Sequence, residues 1–468
     1  MLSTFREKAL ILLRLSALFA LAGAGSGCAQ TAVSKAAADV AMPDTWARDG
    51  SDGGIVDNWL RDFNDPQLER LVAEAIDKNY QLREERARLA QAAQAVIATR
   101  ADRFPALDLS LGASRSGAEG GDDTRVTSRS YDASLGLFWE ADLWGRLSAT
   151  QQTAQLELQA QRARVQLAER ELAASTAKSL FAVMQAKQLL DVAKRRLDNV
   201  KQSEEIVASG YRQGLNDALD LYLARNQVER QHANLAQQEQ LVLEAVADLQ
   251  LTLARYPDGQ MQVGGELPVL ANAIPSGLPS DLLLRRADLQ EAWLSLLAAD
   301  ANLAAAHKAR FPRLVLLGSG GVASPGFADL LDGEGSTWSL IGNLSQPVFQ
   351  GGRLAAQEQI AAEQVREAEQ RYLDLVYRAF ADVENAISRM LSLNERYRSF
   401  LDAERNASAA LTLALDQYQR GLVTYTTVLE SQRQFFDAEE TVVELRNQLL
   451  QNRIDLYLAL GGEFAASL

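Results

Sequence analysis

Three acidic residues stand just downstream of two glycines in matching contexts. Asp217 and Asp220 follow GYRQGL (210–215), and Glu430 follows QYQRGL (417–422), with Thr427 one turn before it. Carboxylates gathered at short range repel one another, favour cations and protonate in coupled steps. A carboxylate alone on a helix face is merely a solvated charge. The elements that carry these residues decide between the two. Little else in the chain invites chemistry. His232 and His307 are far apart, and no Cys/His cluster has metal-ligand spacing. There is no nucleophile–base pair in recognisable context, no phosphate loop and no zinc motif. The sequence therefore predicts neither an enzyme nor a cofactor.

The chain has 468 residues and a formal net charge of −14. Residues 1–27 carry Arg6, Lys8, Arg14 and Glu7, a net of +2, so −14 less +2 leaves −16 on the remainder. That balance argues against a nucleic-acid partner, which requires a basic face. The first residues read as a secretory signal: basic positions, an apolar run from Ala9 to Ala24, then small residues before Cys28. The run is short for a membrane span. GSGC (25–28) resembles a bacterial lipobox, with Gly25 where leucine is usual. Cys28 is the only cysteine, so no second thiol could pair with it. Its expected fate is acylation, which anchors a chain to a membrane without spanning it.

The elements around the two glycine motifs repeat. A constant offset of 207 aligns Arg103-Phe104-Pro105 with Arg310-Phe311-Pro312, and Gly145-Arg146-Leu147 with Gly352-Arg353-Leu354. It also aligns Tyr211, Gly214 and Leu215 with Tyr418, Gly421 and Leu422. A period this long means a duplicated domain rather than a solenoid. The expected organisation is a signal peptide at 1–27, an extended segment at 28–65, repeat one at 66–256, a Pro/Gly-rich linker at 257–280, repeat two at 281–460 and a tail at 461–468.

Each repeat has one internal order. A helical segment (67–103; 281–310) runs to the RFP motif, where proline ends it. The apolar period then changes from 3.6 to 2. Leu107, Leu109 and Leu111 alternate with Asp108, Ser110 and Gly112, and Tyr131, Ala133, Leu135 and Leu137 mark the returning strand. Repeat two does the same through Leu314 and Leu316, then Trp338, Leu340 and Leu344. Four strands cannot close a roomy barrel alone, whereas several chains could, with leucine, tyrosine and tryptophan toward lipid and aspartate and serine toward water. Long helices follow: 148–209 and 354–420 lack both Gly and Pro. Tyr372, Val376, Ala379, Val383, Ala386, Met390 and Leu393 form a seam of alternating four and three spacings, the mark of a coiled coil. The two glycine motifs are then the turns of two antiparallel helical hairpins.

At this point the chain resembles the TolC-like outer-membrane efflux proteins, in their lipoprotein branch. The resemblance is carried by FWEADLWGRL (138–147), GLPSDLLLRRADLQEAW (277–293), LSQPVFQGGRLAAQ (344–357), DVENAI (382–387) and QYQRGLVTYTTVLESQR (417–433). Ala287 departs from the family's usual proline. The resemblance implies a mainly α chain whose homotrimer forms a twelve-stranded transmembrane β-barrel in the bacterial outer membrane and a helical tunnel in the periplasm. It implies a passive exit duct working with a periplasmic adaptor and an inner-membrane transporter. Asp217, Asp220, Thr427 and Glu430 would line a pore constriction. Tyr211, Gly214, Leu215, Tyr418, Gly421 and Leu422 would form the turns that dock the adaptor. The competing reading is a lipid-anchored structural or adaptor protein of coiled-coil hairpins, which would be expected to show one hairpin and a separate β-rich domain.

Overall fold

The computed structural model describes residues 46–47, 58–119, 125–270, 282–328 and 336–464. Cys28 and the signal segment lie outside the described residues. The elements are a 3-10 turn at Trp59–Phe63, α1 (Pro66–Lys78), α2 (Tyr80–Ala101), β1 (Ala106–Glu119), β2 (Arg125–Ala141), α3 (Arg146–Arg212) and α4 (Ala218–Thr252). Repeat two supplies α5 (Leu282–Arg285), α6 (Ala287–Lys308), β3 (Arg313–Ser324), β4 (Ser336–Ser345), α7 (Arg353–Gln419) and α8 (Tyr425–Ala459).

The duplication holds at the level of single bonds. Helices α3 and α7 each have 67 residues, α4 and α8 each have 35, and α2 and α6 each have 22. Each pair starts and stops 207 positions apart. Trp139 Nε1 donates to the Arg103 carbonyl at 3.0 Å, and Gln346 Nε2, its counterpart, donates to the Arg310 carbonyl at 3.0 Å. Asn79 Nδ2 donates to the Thr252 carbonyl, and Arg286, its counterpart, to the Ala459 carbonyl. Arg103 reaches Gln151, and Arg310 reaches Glu358. The side chains differ while the geometry is kept.

Two helix boundaries differ from the sequence reading. The segment 67–103 is two helices, because Asn79 turns extended (φ −59°, ψ 131°) and its Oδ1 accepts the backbone N–H groups of Gln81 and Leu82. An asparagine N-cap satisfies donors that would otherwise be orphaned, so a helix restarts there without a proline. Ala287 is the first residue of α6, a position that tolerates the proline usual in the family. At the other end, α3 runs through Gly210 to Arg212 rather than stopping at Ser209.

All four strands form one antiparallel sheet in the order β1-β2-β3-β4. Leu107, Leu109 and Leu111 stand opposite Leu137, Leu135 and Ala133. Leu137 and Leu135 stand opposite Gly318 and Gly320, which in turn oppose Leu340 and Trp338. Because side chains alternate, these residues share one face. The other face carries Asp108, Ser110, Ser134, Asp132 and Ser319, the last bonded to Ser339.

The long helices pair as two hairpins, α3 with α4 and α7 with α8, and α8 also packs along α3. At 1.5 Å per residue, 67 residues reach about 100 Å. The seam read from the sequence is buried at Tyr372, Val376, Ala379, Val383, Ala386 and Leu393. The chain before α1 is clasped onto this frame. Trp59 stacks on Tyr457 and Phe63 packs on Phe181. Asp62 accepts from Arg453 at 2.6 Å and from the Tyr457 hydroxyl at 2.7 Å. Among the described residues, no helix is long and apolar enough to cross a membrane.

Candidate functional site

Both hairpin turns are closed in the same way. Leu215 N–H donates to the Gly210 carbonyl at 2.9 Å, and Gly214 N–H to the Tyr211 carbonyl at 3.0 Å. Leu422 N–H donates to the Gln417 carbonyl and Gly421 N–H to the Tyr418 carbonyl, both at 2.9 Å. This pattern of nested bonds needs a left-handed residue at the helix end. Gly214 (φ 76°) and Gly421 (φ 71°) supply it. Gly210 is thus an acceptor within the motif and not its closing residue.

The next helices start differently. Asp217 is extended, and its carboxylate accepts the Asp220 backbone N–H at 2.9 Å, so Asp217 is the N-cap of α4. Its counterpart Thr424 precedes α8, its hydroxyl bonded to those of Thr426 and Thr427. Thr427 is exposed on the first turn of α8.

Between the two turns lies a small core joining the repeats: Val207, Leu221, Ala224, Ala414, Tyr425 and Val428. Tyr425 is fully buried and Tyr418 half-buried, with ring centroids 5.6 Å apart. Neither hydroxyl has a hydrogen-bond partner among the described residues. Burial pushes the Tyr425 hydroxyl well above its ordinary range, aided by Tyr418, Asp220 and Glu204. Burial, then Asp220 and Asp217, also raises Tyr418. Asp220 itself is pushed up by burial and by the neighbouring charge of Asp217.

Glu430 sits in another environment. It is exposed on α8, and Arg433 Nη2 donates to it at 2.6 Å and Gln434 at 2.8 Å. Arg433 holds its carboxyl below the usual range. Within the protomer, then, Asp220 lies beside the tyrosine core and Glu430 lies in an ion pair on its own helix. Sequence reading passed over Arg433, although glutamate and arginine three apart signal such a pair. It also passed over Tyr425, whose counterpart is the small Ala218. Tyr211, Leu215 and Leu422 are exposed at the turns, and Tyr222 and Leu219 extend the apolar surface one turn along α4.

The second functional surface is the sheet. Leu109, Leu111, Leu340, Leu344 and Trp338 are exposed, Trp338 at 84%. A contiguous apolar face of this kind needs a nonpolar environment. The reverse carries aspartate and serine, which suit water, and an apolar row of Phe138, Leu317 and Ile341 near the helices. Strand alternation with one face for lipid and one for water, mounted on helices of about 100 Å, defines an outer-membrane channel protein.

The chain belongs to the outer membrane efflux protein family, whose profile matches residues 71–255 and 278–462. It is 31% identical over 86% of its length to SilC of Salmonella typhimurium, described as a "probable outer membrane lipoprotein", covering 87% of that protein. It is 30% identical to the cation efflux system protein CusC of Escherichia coli K12, covering 86% of this chain and 88% of CusC. Pseudomonas aeruginosa OpmQ, a pyoverdine export outer membrane protein, is 31% identical over 90% of this chain and 91% of its own. A CusC crystal structure superposes with a TM-score of 0.81 at 28% identity, covering 90% of this chain and 98% of that one. The chain is an outer-membrane protein that serves as the channel of an efflux system.

Proposed function

We propose that three copies of the chain close a twelve-stranded barrel and a helical tunnel, forming the passive exit duct of a tripartite pump. The observation that carries this reading is the sheet: four strands in line, an apolar face turned outward, and edge strands β1 and β4 with one neighbour each among the described residues. An open edge in lipid leaves backbone groups unsatisfied, and closure removes the edge. Acylation of Cys28 supplies an additional anchor to the outer membrane. The turns at Gly214 and Gly421 form the end that meets a periplasmic adaptor, and their exposed Tyr211, Leu215 and Leu422 support that role. The adaptor links the duct to an inner-membrane transporter. Asp217, Asp220, Thr427 and Glu430 line the narrow end. Relatives named for cations and for pyoverdine share about the same identity with this chain. That supports a duct whose cargo is chosen by the transporter. Light scattering corrected for detergent tests the assembly: three times the protomer mass is expected, and a conducting monomer would refute it. Mass spectrometry of the mature N-terminus tests Cys28, with an unmodified thiol as the contrary result.

A further inference from the structure

Within one protomer the two repeats meet along a seam, and that seam is a template. From the 207-residue symmetry we infer that the face between protomers repeats the seam's geometry position for position, with complementary residues kept at particular pairs. This defines a complementary surface for a second copy of the chain, with named pairs and a named strand register. The inference rests on the trimer reading.

The first pair lies between the long helix of repeat one and the first helix of repeat two. Arg164 on α3 meets Glu291 on α6 at 2.8 Å. Adding 207 to the arginine gives Arg371, and subtracting 207 from the glutamate gives Glu84. Both residue types are retained, yet the two are not joined within the chain. Arg371 is held by Glu367 and Glu84 by Arg88, neighbours on their own helices, with the Arg371 and Glu84 side chains 71% and 61% exposed. Around a closed ring, Arg371 of one protomer would meet Glu84 of the partner subunit.

The second pair lies nearer the turns. Arg195 on α3 meets Glu439 on α8 at 2.5 Å. The same shift gives Asp402 on α7 and His232 on α4, both exposed. The polarity is reversed and the complementarity kept, because an imidazole N–H can donate to a carboxylate. One of the chain's two histidines thereby gains a place.

The third observation is the sheet. On β2 and β3, Leu137 stands opposite Gly318 and Tyr131 opposite Ser324. Shifted, the rule puts Leu344 of β4 opposite Leu111 of the partner subunit, and Trp338 opposite Gly117 of the partner subunit. Trp338 already faces Gly320 on β3. Its ring would then have a glycine on either side, which gives this bulky side chain the room it needs.

Two measurements on the full-length protein in outer membranes test this. Opposite residues in an antiparallel pair are close enough for a disulfide. Leu111→Cys with Leu344→Cys should give a covalent trimer on mild oxidation, and Leu109→Cys with Leu344→Cys, a two-residue slip, should not. Single-cysteine variants account for any bond through Cys28. Glu84→Arg and Arg371→Glu should each lower the temperature at which the trimer dissociates, and the double variant should recover it. A trimer that cross-links in the slipped register, or a double variant no better than the singles, overturns the inference and leaves the trimer standing. A monomer by light scattering overturns the trimer reading itself.

Discussion

Ala254 occupies a position that the symmetry assigns to glycine. Its φ is 54°, and its counterpart Gly461 has φ 70°. Both close a helix with the same bond, Arg255 N–H to the Gln250 carbonyl at 2.8 Å and Gly462 N–H to the Tyr457 carbonyl at 2.9 Å. A side chain in the left-handed region costs roughly 1–2 kcal/mol, partly offset by the greater unfolded-state freedom of glycine. Ala254→Gly should therefore raise stability by about 0.5–1 kcal/mol, read from thermal unfolding. Gly461→Ala should do worse than the reverse exchange, because its added Cβ would lie 2.8 Å from the Arg285 carbonyl carbon. Equal and opposite effects would show that backbone strain alone decides. Asp217 offers a second contrast. Asp217→Asn should keep the cap, and Asp217→Ala should lose about 1 kcal/mol.

At the scale of elements, the sequence made the long helices, the strands and their faces legible. A gapless repeat aligns them, and the periods of 3.6 and 2 are distinct in each copy. The break at Asn79 rests on a local cap that sequence reading passed over, and the Asn79 amide is held further by the Thr252 carbonyl, 173 residues away. The clasp before α1 was hidden because its partners lie far along the chain. Arg453 is 4% exposed, and nothing in RNQLLQNRIDLYLAL announces that Asp62 will meet it. At the candidate site, the turn glycines were readable from local chemistry. The division of Asp220 from Glu430 was not, since it follows from Tyr425 entering a core shared by both repeats. The clasp makes a prediction of its own. Asp62→Ala removes a carboxylate that accepts from a buried guanidinium, and the expected cost is about 2 kcal/mol. Tyr457→Phe removes one hydrogen bond and should cost about 1 kcal/mol. Chemical denaturation that ranks the two variants the other way would mean that the ring stack of Trp59 on Tyr457, and not the ion pair, holds the segment.

For the whole assembly, the two kinds of carboxylate at the turns should affect stability in opposite senses as the pH falls. Asp220 is raised by burial and by Asp217, so its charge opposes the packed tip near neutral pH. That penalty is relieved as the pH falls through the raised value. Glu430 is lowered by Arg433, so its favourable contribution is present above the ordinary carboxylate range and is lost only as the pH falls through the depressed value. Acidification from neutrality should thus remove a penalty at Asp220 and a favourable contribution at Glu430. In a threefold assembly each kind of carboxylate contributes three charges, which protonate in coupled steps. Cation selectivity in planar bilayers should fall with acidification, and protonation of Asp220 should be accompanied by tighter packing around Tyr418 and Tyr425. Asp220→Asn should remove its share of that fall and abolish the packing change. Glu430→Gln should remove the other share, and Arg433→Ala should move the Glu430 contribution to higher pH by removing the group that holds the carboxylate down. A wild-type profile unchanged in all three variants would place these carboxylates outside the conducting path.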